Sequence, residues 1–455
     1  MNLDFAHFIS FILFSLLTQS LGRKYEALRD AHDLQELAKE NLIGTRSIQD
    51  IKYSSIEVTL PDSGHEKFPI PSFLSAVLKK FQRRLGVHRY GPEVIAKATE
   101  PHNGWAGSQA VVSRSLILDE ATRPTRSQHA STITQVGNGD LLAAWFGGLW
   151  EKHPDTGIWM SRYKDGRWGE PMQAAWPLYG EPCWNPVLVH LRDPDETLLF
   201  YKVGNNSETW SPRLMRSYDN GFTWTRPEGL PQSIMGPAKN KPLVLDDGTI
   251  IVGSSVESKG WTVHIEYSKD RGITWKRLEP IEYERAGIIQ PALFKTRGGL
   301  GMVARSRDRF LVEASADQMG QKWSKARLMA IPNPNSGVDT VTLHDGRVLL
   351  AYNPLQKGRF RLAIAVRDDG AAEFKPKILL EDTDVAMVLP PECQDPSRPS
   401  SLPPEAHRPE YSYPAIIQSS DGLVHVTYTY SYNGRGKHCC GRENIMHVVI
   451  DPSRI

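Results

Sequence analysis

Two segments of this 455-residue chain carry one eight-residue pattern. Residues 217–224 read SYDNGFTW and residues 268–275 read SKDRGITW, so both follow S-x-D-x-G-x-T-W, with their tryptophans 51 residues apart. Looser copies occupy residues 161–168, 315–323 and 366–374, and the closing aromatics at 168, 224, 275, 323 and 374 are spaced by 56, 51, 48 and 51. A fixed period near 50 built from short strands is the signature of propeller blades. The chemistry of the repeat is local. Asp turns the backbone by accepting from nearby N–H groups, and Gly permits positive φ. The Trp is expected to bury under the hairpin and anchor it to its blade. Turn formation accounts for these residue types, so the boxes are structural rather than catalytic.

A second repeat runs in phase with the first: an alternating strand, a turn, then an apolar strand. Its copies cover residues 129–146, 185–201, 241–253, 290–304, 339–352 and 413–428, which makes six blades of about four strands each. A Pro-rich insertion at 382–409 lengthens the fifth interval. Residues 111–118 (VVSRSLIL) form a strand that precedes the first copy and is expected to complete the last blade, closing the ring and removing its edges. The fold class is therefore all-β, a six-bladed propeller over residues 111–455, with an N-terminal, partly helical extension. A propeller gathers the starts of its innermost strands around one funnel, so the residue leading each copy points at a common site.

Composition narrows the function. With 54 Lys+Arg against 52 Asp+Glu the formal charge is +2, which does not suit a dedicated nucleic-acid binder. An apolar fraction of 40 % with 23 % charged residues suits a soluble globular protein, and 36 Gly with 32 Pro argue against a helical bundle. Four Cys are too few for a disulfide scaffold. Residues 8–17 (FISFILFSLL) are an apolar run of ten, short of the roughly 20 that span a bilayer. Small residues Ser20 and Gly22 then mark residues 1–22 as an expected secretory signal peptide, with no membrane attachment after its removal. The sequon Asn205-Asn206-Ser207 agrees with a secreted or lumenal location, as does a bridge from Cys393 to Cys439 or Cys440. In the extension, residues 23–42 are charged and helix-prone, and residues 73–85 have apolar residues at helical spacing.

The boxes, the six-fold phase and the segments HASTI (129–133), WFGG (145–148), NPVL (185–188), KNKP (239–242) and EYSYPA (410–415) resemble the sialidase superfamily, and in particular sialidase-like proteins of the BNR-repeat class. The resemblance implies a glycoside hydrolase acting on an acidic glycan of sialic- or uronic-acid type. Tyr411, followed by Ser412, resembles the sialidase nucleophile. A sialic acid carries a carboxylate on its anomeric carbon, which would repel an attacking Asp or Glu, so a neutral Tyr takes that role. Arg305, in Ala304-Arg305-Ser306, resembles one arginine of the carboxylate clamp and Arg359 another, with Arg307 and Arg361 as the alternatives after a small shift. Two guanidinium forks converging on one carboxylate give orientation and charge. Asp155 lies in the first blade's outgoing loop, where sialidases place the general acid; Trp150 or Trp159 beside it would raise its pKa. The structural counterparts are a core tyrosine, surface arginines paired with acids, and a turn Asp after Pro154.

Two positions depart from the sialidase pattern. His129 stands where the first clamp arginine is expected, and residues 287–290 (GIIQ) offer no carboxylate to assist the tyrosine. His, Tyr and Arg together also suit a polysaccharide lyase. There Arg neutralises a uronate carboxylate, His129 or Tyr411 removes the acidified α-proton, and the other donates to the leaving oxygen. A non-catalytic glycan-binding propeller is the third possibility. Under any of them the sugar is expected at Trp184, Asn185, Lys239, Asn240, Lys241, Gln290, Asn335 and Asp339, with Trp145 or Trp184 stacking on a pyranose and Lys202 or Lys241 adding charge. Zinc-protease, dinucleotide and P-loop motifs are missing from the sequence, and adjacent Cys439-Cys440 lacks ligand spacing, so no metal or cofactor is expected.

Overall fold

The structure, a computed structural model, describes residues 108–119, 123–177, 180–258, 260–382, 409–431 and 442–455, together with the backbone of one hairpin near the N-terminus. The chain divides into two compact units, residues 1–88 and 89–455. In the first, strands Ser55–Leu60 and Gly64–Pro69 pair antiparallel. The helical segments expected at 23–42 and 73–85 lie outside the described residues, as do the signal peptide and Cys393, Cys439 and Cys440. Cys183 is a buried free thiol. Among the described residues no helix is long and apolar enough to cross a membrane.

The second unit is a six-bladed propeller. Its inner strands are Ser127–Gln135, Cys183–Leu191, Leu243–Val244, Ile288–Thr296, Asp339–Thr342 and Ser412–Gln418, and each blade adds its later strands outward in chain order. Blade one takes an extra strand, Met172–Ala175, paired with Gly157–Lys164. Blade six is completed by Val111–Leu116 on Asn444–Ile450, so the expected closing strand does join the two ends of the ring. The core lies between neighbouring blades. Leu349, Ile364, Ile416 and Val426 pack between blades five and six, for example, and Ile251, Ile265, Leu293 and Met302 between three and four. Strands covered on both faces read as near-continuous apolar runs, which is why Leu141–Gly148 is buried throughout.

The boxes form the turns their residues dictate. Asp219 Oδ1 accepts from the N–H groups of Phe222 (3.1 Å) and Thr223 (2.9 Å), while Ser217 Oγ accepts from Gly221 N at 2.7 Å. Gly221 has φ +82°, and a Cβ there would stand 2.2 Å from Leu142 of blade one. The aromatics differ from the expectation in one respect: they seat against the preceding blade as well as their own. Trp168 donates to His447 of blade six at 3.2 Å, Trp275 meets Phe200 of blade two edge-on, and Phe374 meets Phe294 of blade four. Arg162 and Arg216 reinforce this by donating across blades to Asn220 O (2.6 Å) and Arg271 O (2.9 Å). Each box is thus a staple between blades.

The seam between blades six and one holds a buried polar chain. Trp168 Nε1 only donates, so His447 Nδ1 accepts; His447 Nε2–H then donates to His425 Nδ1 (2.9 Å), and His425 Nε2–H to Ser419 Oγ (2.9 Å), which meets Asp421. Burial pushes His425 down to about 4 and His447 down to about 3. Both pKa values are lower in the folded state than the ordinary 6.5, so the unfolded chain takes up these protons first. The stability present above pH 6.5 is therefore lost as pH falls toward 4. The unfolding midpoint in urea should decline across that window, and His425→Gln and His447→Gln should each show a shallower decline than the parent. An identical slope in both variants would remove the histidines as its cause.

Candidate functional site

In four blades the inner strand breaks register at the same level. The ladder shifts between His129 and Thr132, opposite Phe200–Lys202 in blade two, between Ile289 and Ala292, and between Ser412 and Ala415. At each break one residue has positive φ: Ala130 (57°), Asn185 (32°), Gln290 (55°) and Tyr413 (52°). Positive φ is uncommon outside glycine and concentrates at functional sites. A bulge adds a residue and re-aims the side chain. Here it turns Gln290 and Tyr413 toward Arg305, at the end of the second strand of blade four.

Tyr413 is the centre. Arg305 Nη1 donates to Tyr413 Oη at 2.6 Å and to Gln290 Oε1 at 3.1 Å, and Arg305 Nε donates to Asn335 Oδ1 at 2.7 Å. The Arg359 guanidinium lies 5.3 Å from the Tyr413 ring centroid, and the His129 ring 4.3 Å from it, tilted by 46°. Beyond them, Glu410 bridges two cations: its Oε1 accepts from Arg359 (2.7 Å) and Ser412 (2.5 Å), its Oε2 from Arg442 (2.8 Å). Arg442 also donates to Glu151 at 2.7 Å.

The electrostatics follow from this arrangement. Burial pushes the Glu410 carboxyl up, but Arg442 and Arg359 outweigh it and hold it well below the usual range. Glu151 is half-buried, which pushes its carboxyl up, but Arg442 outweighs this and brings it down to about 2. His129 is held well below its ordinary value, first by burial and then by Arg442, so its ring is neutral. Its Nδ1 meets Thr429 Oγ1 at 2.8 Å. Arg359 and Arg442 are matched by carboxylates, whereas the three hydrogen bonds of Arg305 all go to neutral oxygens. Arg305 therefore brings positive charge to the funnel that no carboxylate contact cancels among the described residues.

The structure brings together His129, Arg305, Arg359 and Gln290 from the expected set, and it corrects others. Tyr411 is fully buried in the apolar cluster between blades five and six, beside Tyr430; the break at Ser412 gives the funnel position to Tyr413 instead. Asp155 is exposed and bonded within its own loop, to Leu149 N (3.1 Å) and His153 Nδ1 (2.6 Å). Trp184 is 5 % exposed and donates to Gly204 O, and Trp145 is fully buried on Gln128, so neither offers a face for stacking. Asn185 donates to Ala238 O at 3.0 Å, a link between blades. Lys241 and Asp339 form a buried pair at 3.0 Å, with Asp339 also accepting from Ile416 N. Lys202 is buried and donates to Met235 O. Of the alternative clamp residues, Arg361 pairs with Asp382, and Arg307 lies over Trp261.

Arg442, Glu151, Glu257 and Trp261 carried no motif; Lys239 was among the residues expected at the sugar, and Glu410 opens the EYSYPA segment but was given no role. Lys239 is buried beneath Tyr413 and donates to Val338 O and Pro414 O; burial, partly offset by Asp339, brings its pKa down to about 7. Tyr413 did have a sequence signal. Asn185, Gln290 and Tyr413 each precede a proline in the repeated strand, and a proline cannot donate to the ladder.

Removing one partner from a buried ionic network leaves the others uncompensated. Glu410→Gln strands Arg359 and leaves Arg442 with Glu151 as its remaining carboxylate among the described residues, and is expected to destabilise the propeller by about 3–5 kcal/mol. Chemical denaturation of parent and variant measures it, and an unchanged midpoint would show the bridge to be dispensable.

A protein-family model described as a BNR repeat-like domain matches residues 139–426. No curated protein matches the chain. Among solved structures, a protein of unknown function from Dyadobacter fermentans superposes with a TM-score of 0.59 at 16 % identity, covering 75 % of this chain and 98 % of its own. A Hadza microbial sialidase gives 0.59 at 15 %, covering 75 % and 69 %, and the intramolecular trans-sialidase of Ruminococcus gnavus gives 0.58 at 12 %, covering 76 % and 99 %. At these identities the likeness is one of fold. With the family model spanning more than half of the sequence, the chain belongs to the BNR repeat-like family and carries the six-bladed propeller of the sialidase superfamily.

Proposed function

We propose that this protein cleaves an acidic glycan as a sialidase-type glycoside hydrolase, with Tyr413 as nucleophile and Arg305 and Arg359 receiving the sugar carboxylate. The observation that carries this reading is the 2.6 Å contact of Tyr413 Oη with Arg305, whose charge no carboxylate contacts among the described residues. A guanidinium beside a phenol stabilises the charge that develops on its oxygen. In the reaction Tyr413 Oη bonds to the anomeric carbon as the bond to the leaving oxygen breaks, and the phenol proton passes to water. The leaving oxygen takes its proton from solvent as it departs, since Asp155 is exposed and bonded within its own loop. Water then adds to the same carbon and restores Tyr413. Secretion, argued from residues 8–17, belongs to this proposal and would expose the site to glycoconjugates.

A second reading, a lyase cleaving beside a uronate, is favoured by a separate observation. Among the described residues the hydrogen-bond partner of Tyr413 Oη is Arg305 and no carboxylate, and a neutral His129 ring stands beside it where a clamp arginine was expected. The two chemistries leave different products. A screen on sialosides and uronate glycans decides between them, because only a lyase makes a C4–C5 double bond that absorbs in the ultraviolet. Turnover of none of these substrates would favour a binding propeller.

Whichever reaction occurs, Tyr413→Phe should lower kcat by at least about a hundredfold, while Tyr411→Phe should stay within a few-fold of the parent. The reverse ranking would return the role to Tyr411.

A further inference from the structure

We propose that Trp261 and Arg307 form a second anion subsite beside Arg305, for an oligosaccharide that carries another carboxylate or sulfate next to the acidic sugar in the funnel. This inference rests on the acidic-glycan reading above and specifies the substrate class further. Arg307 is exposed just past strand Gly299–Ser306, and its guanidinium lies 4.4 Å from the Trp261 ring centroid. Arg305 lies 5.6 Å from the same centroid. One indole therefore borders both cations, and the two guanidinium groups are close enough to meet neighbouring groups of a single ligand.

Both residues are held in place. Arg307 N donates to Gly287 O at 3.3 Å and Ile288 N donates to Trp261 O at 3.4 Å, so the entrance to blade four is clasped between them. Gly287 has φ +90°, and a Cβ there would come within 2.9 Å of the Trp261 Cβ and 3.1 Å of its carbonyl oxygen, so the glycine packs against the Trp261 backbone and the root of its side chain. An arginine already resting on an aromatic face loses less freedom on binding than one waving in solvent.

The charge distribution makes the same point. Arg359 and Arg442 are engaged by Glu410 and Glu151, whereas among the described residues Arg307 forms no ion pair. The acid that faces Arg305 and Arg307 is Glu257, which Ser207, Glu151 and Lys202 also face. Burial raises its pKa, and its Oε1 is buried without a hydrogen-bond partner. Positive charge is thus concentrated on the blade-four side of the funnel, where among the described residues Glu257 faces Arg305 and Arg307 but forms an ion pair with neither.

Calorimetry on Tyr413→Phe protein, which avoids turnover, tests this with two pairs of probes: N-acetylneuraminic acid against its α2,8-linked dimer, and galacturonic acid against digalacturonic acid. The two-anion member of at least one pair should bind about tenfold more tightly, the size of one added charge-assisted contact. Adding Arg307→Ala should abolish that preference and leave the one-anion affinity within about twofold. A preference that survives Arg307→Ala, or an equal loss for both members, overturns the subsite. Adding Arg305→Ala separates the two claims: if one-anion binding persists there, the underlying acidic-glycan reading fails. If none of the probes binds the parent, both fall together.

Discussion

On an unbroken strand, residues two apart share a face, so Tyr411 and Tyr413 would both enter the core or both enter the funnel. They part because the inner strand of blade six bulges between Ser412 and Ala415. The same break in blades one, two and four brings other chain segments to the same level. A non-glycine residue in the left-handed region costs on the order of 1–3 kcal/mol, and the fold holds these residues there through contacts between blades. Asn185 Nδ2 donates to Ala238 O, Asn240 Nδ2 to Gln290 O, and Asn353 Nδ2 to Tyr411 O. The last two amides fix the backbone of the next blade near its break, and the first ties the break in blade two to the start of blade three, so the site depends on the ring being closed.

Charge is then distributed unevenly over that frame. Glu410 takes a different guanidinium on each oxygen, an arrangement that satisfies a half-buried carboxylate and two half-buried cations together. Its consequence reaches His129, which Arg442 helps to keep neutral. Arg442 enters from the start of the third strand of blade six, so the guanidinium that blade one lacks at His129 is supplied from another direction. Arg305 is braced by amide and phenol oxygens that orient it without cancelling it.

The architecture was legible in the sequence because it is written repeatedly. Turn chemistry in the boxes, the strand phase and the spare strand at 111–118 each specify a blade by local rules, and six copies reinforce one another. The partnership of the box aromatics was less accessible, since a Trp beneath a hairpin does not announce which blade lies on its other side. Arg305 and His129 could be placed from resemblance and phase. Tyr411 was the misplaced residue: the repeat copy itself begins at Tyr413, and resemblance to a Tyr-Ser pair pointed two residues upstream. Arg442 and Glu151 were invisible, and Glu410 had no role to read, because they sit in connections outside the repeat, where only the folded ring brings both carboxylates within 3 Å of Arg442.

What the site can do turns on where the phenol proton goes. A guanidinium has no acceptor and stays charged, so Arg305 can stabilise a phenolate but cannot receive the proton. Glu410, the nearest strong carboxylate in the sequence, is committed to Arg359 and Arg442 and held well below its usual pKa, which makes it a poor base. His129 lies against the phenol ring with Nδ1 on Thr429 rather than on Tyr413 Oη. The geometry thus favours a reaction in which the tyrosine oxygen itself carries the developing charge, as attacking nucleophile or as proton-abstracting base. In either case the Arg305 contact does the same physical work, and the sugar carboxylate must share that cation with the tyrosine. A ligand with a single carboxylate would compete directly with Tyr413 for Arg305, and further cations at the rim would relieve that competition.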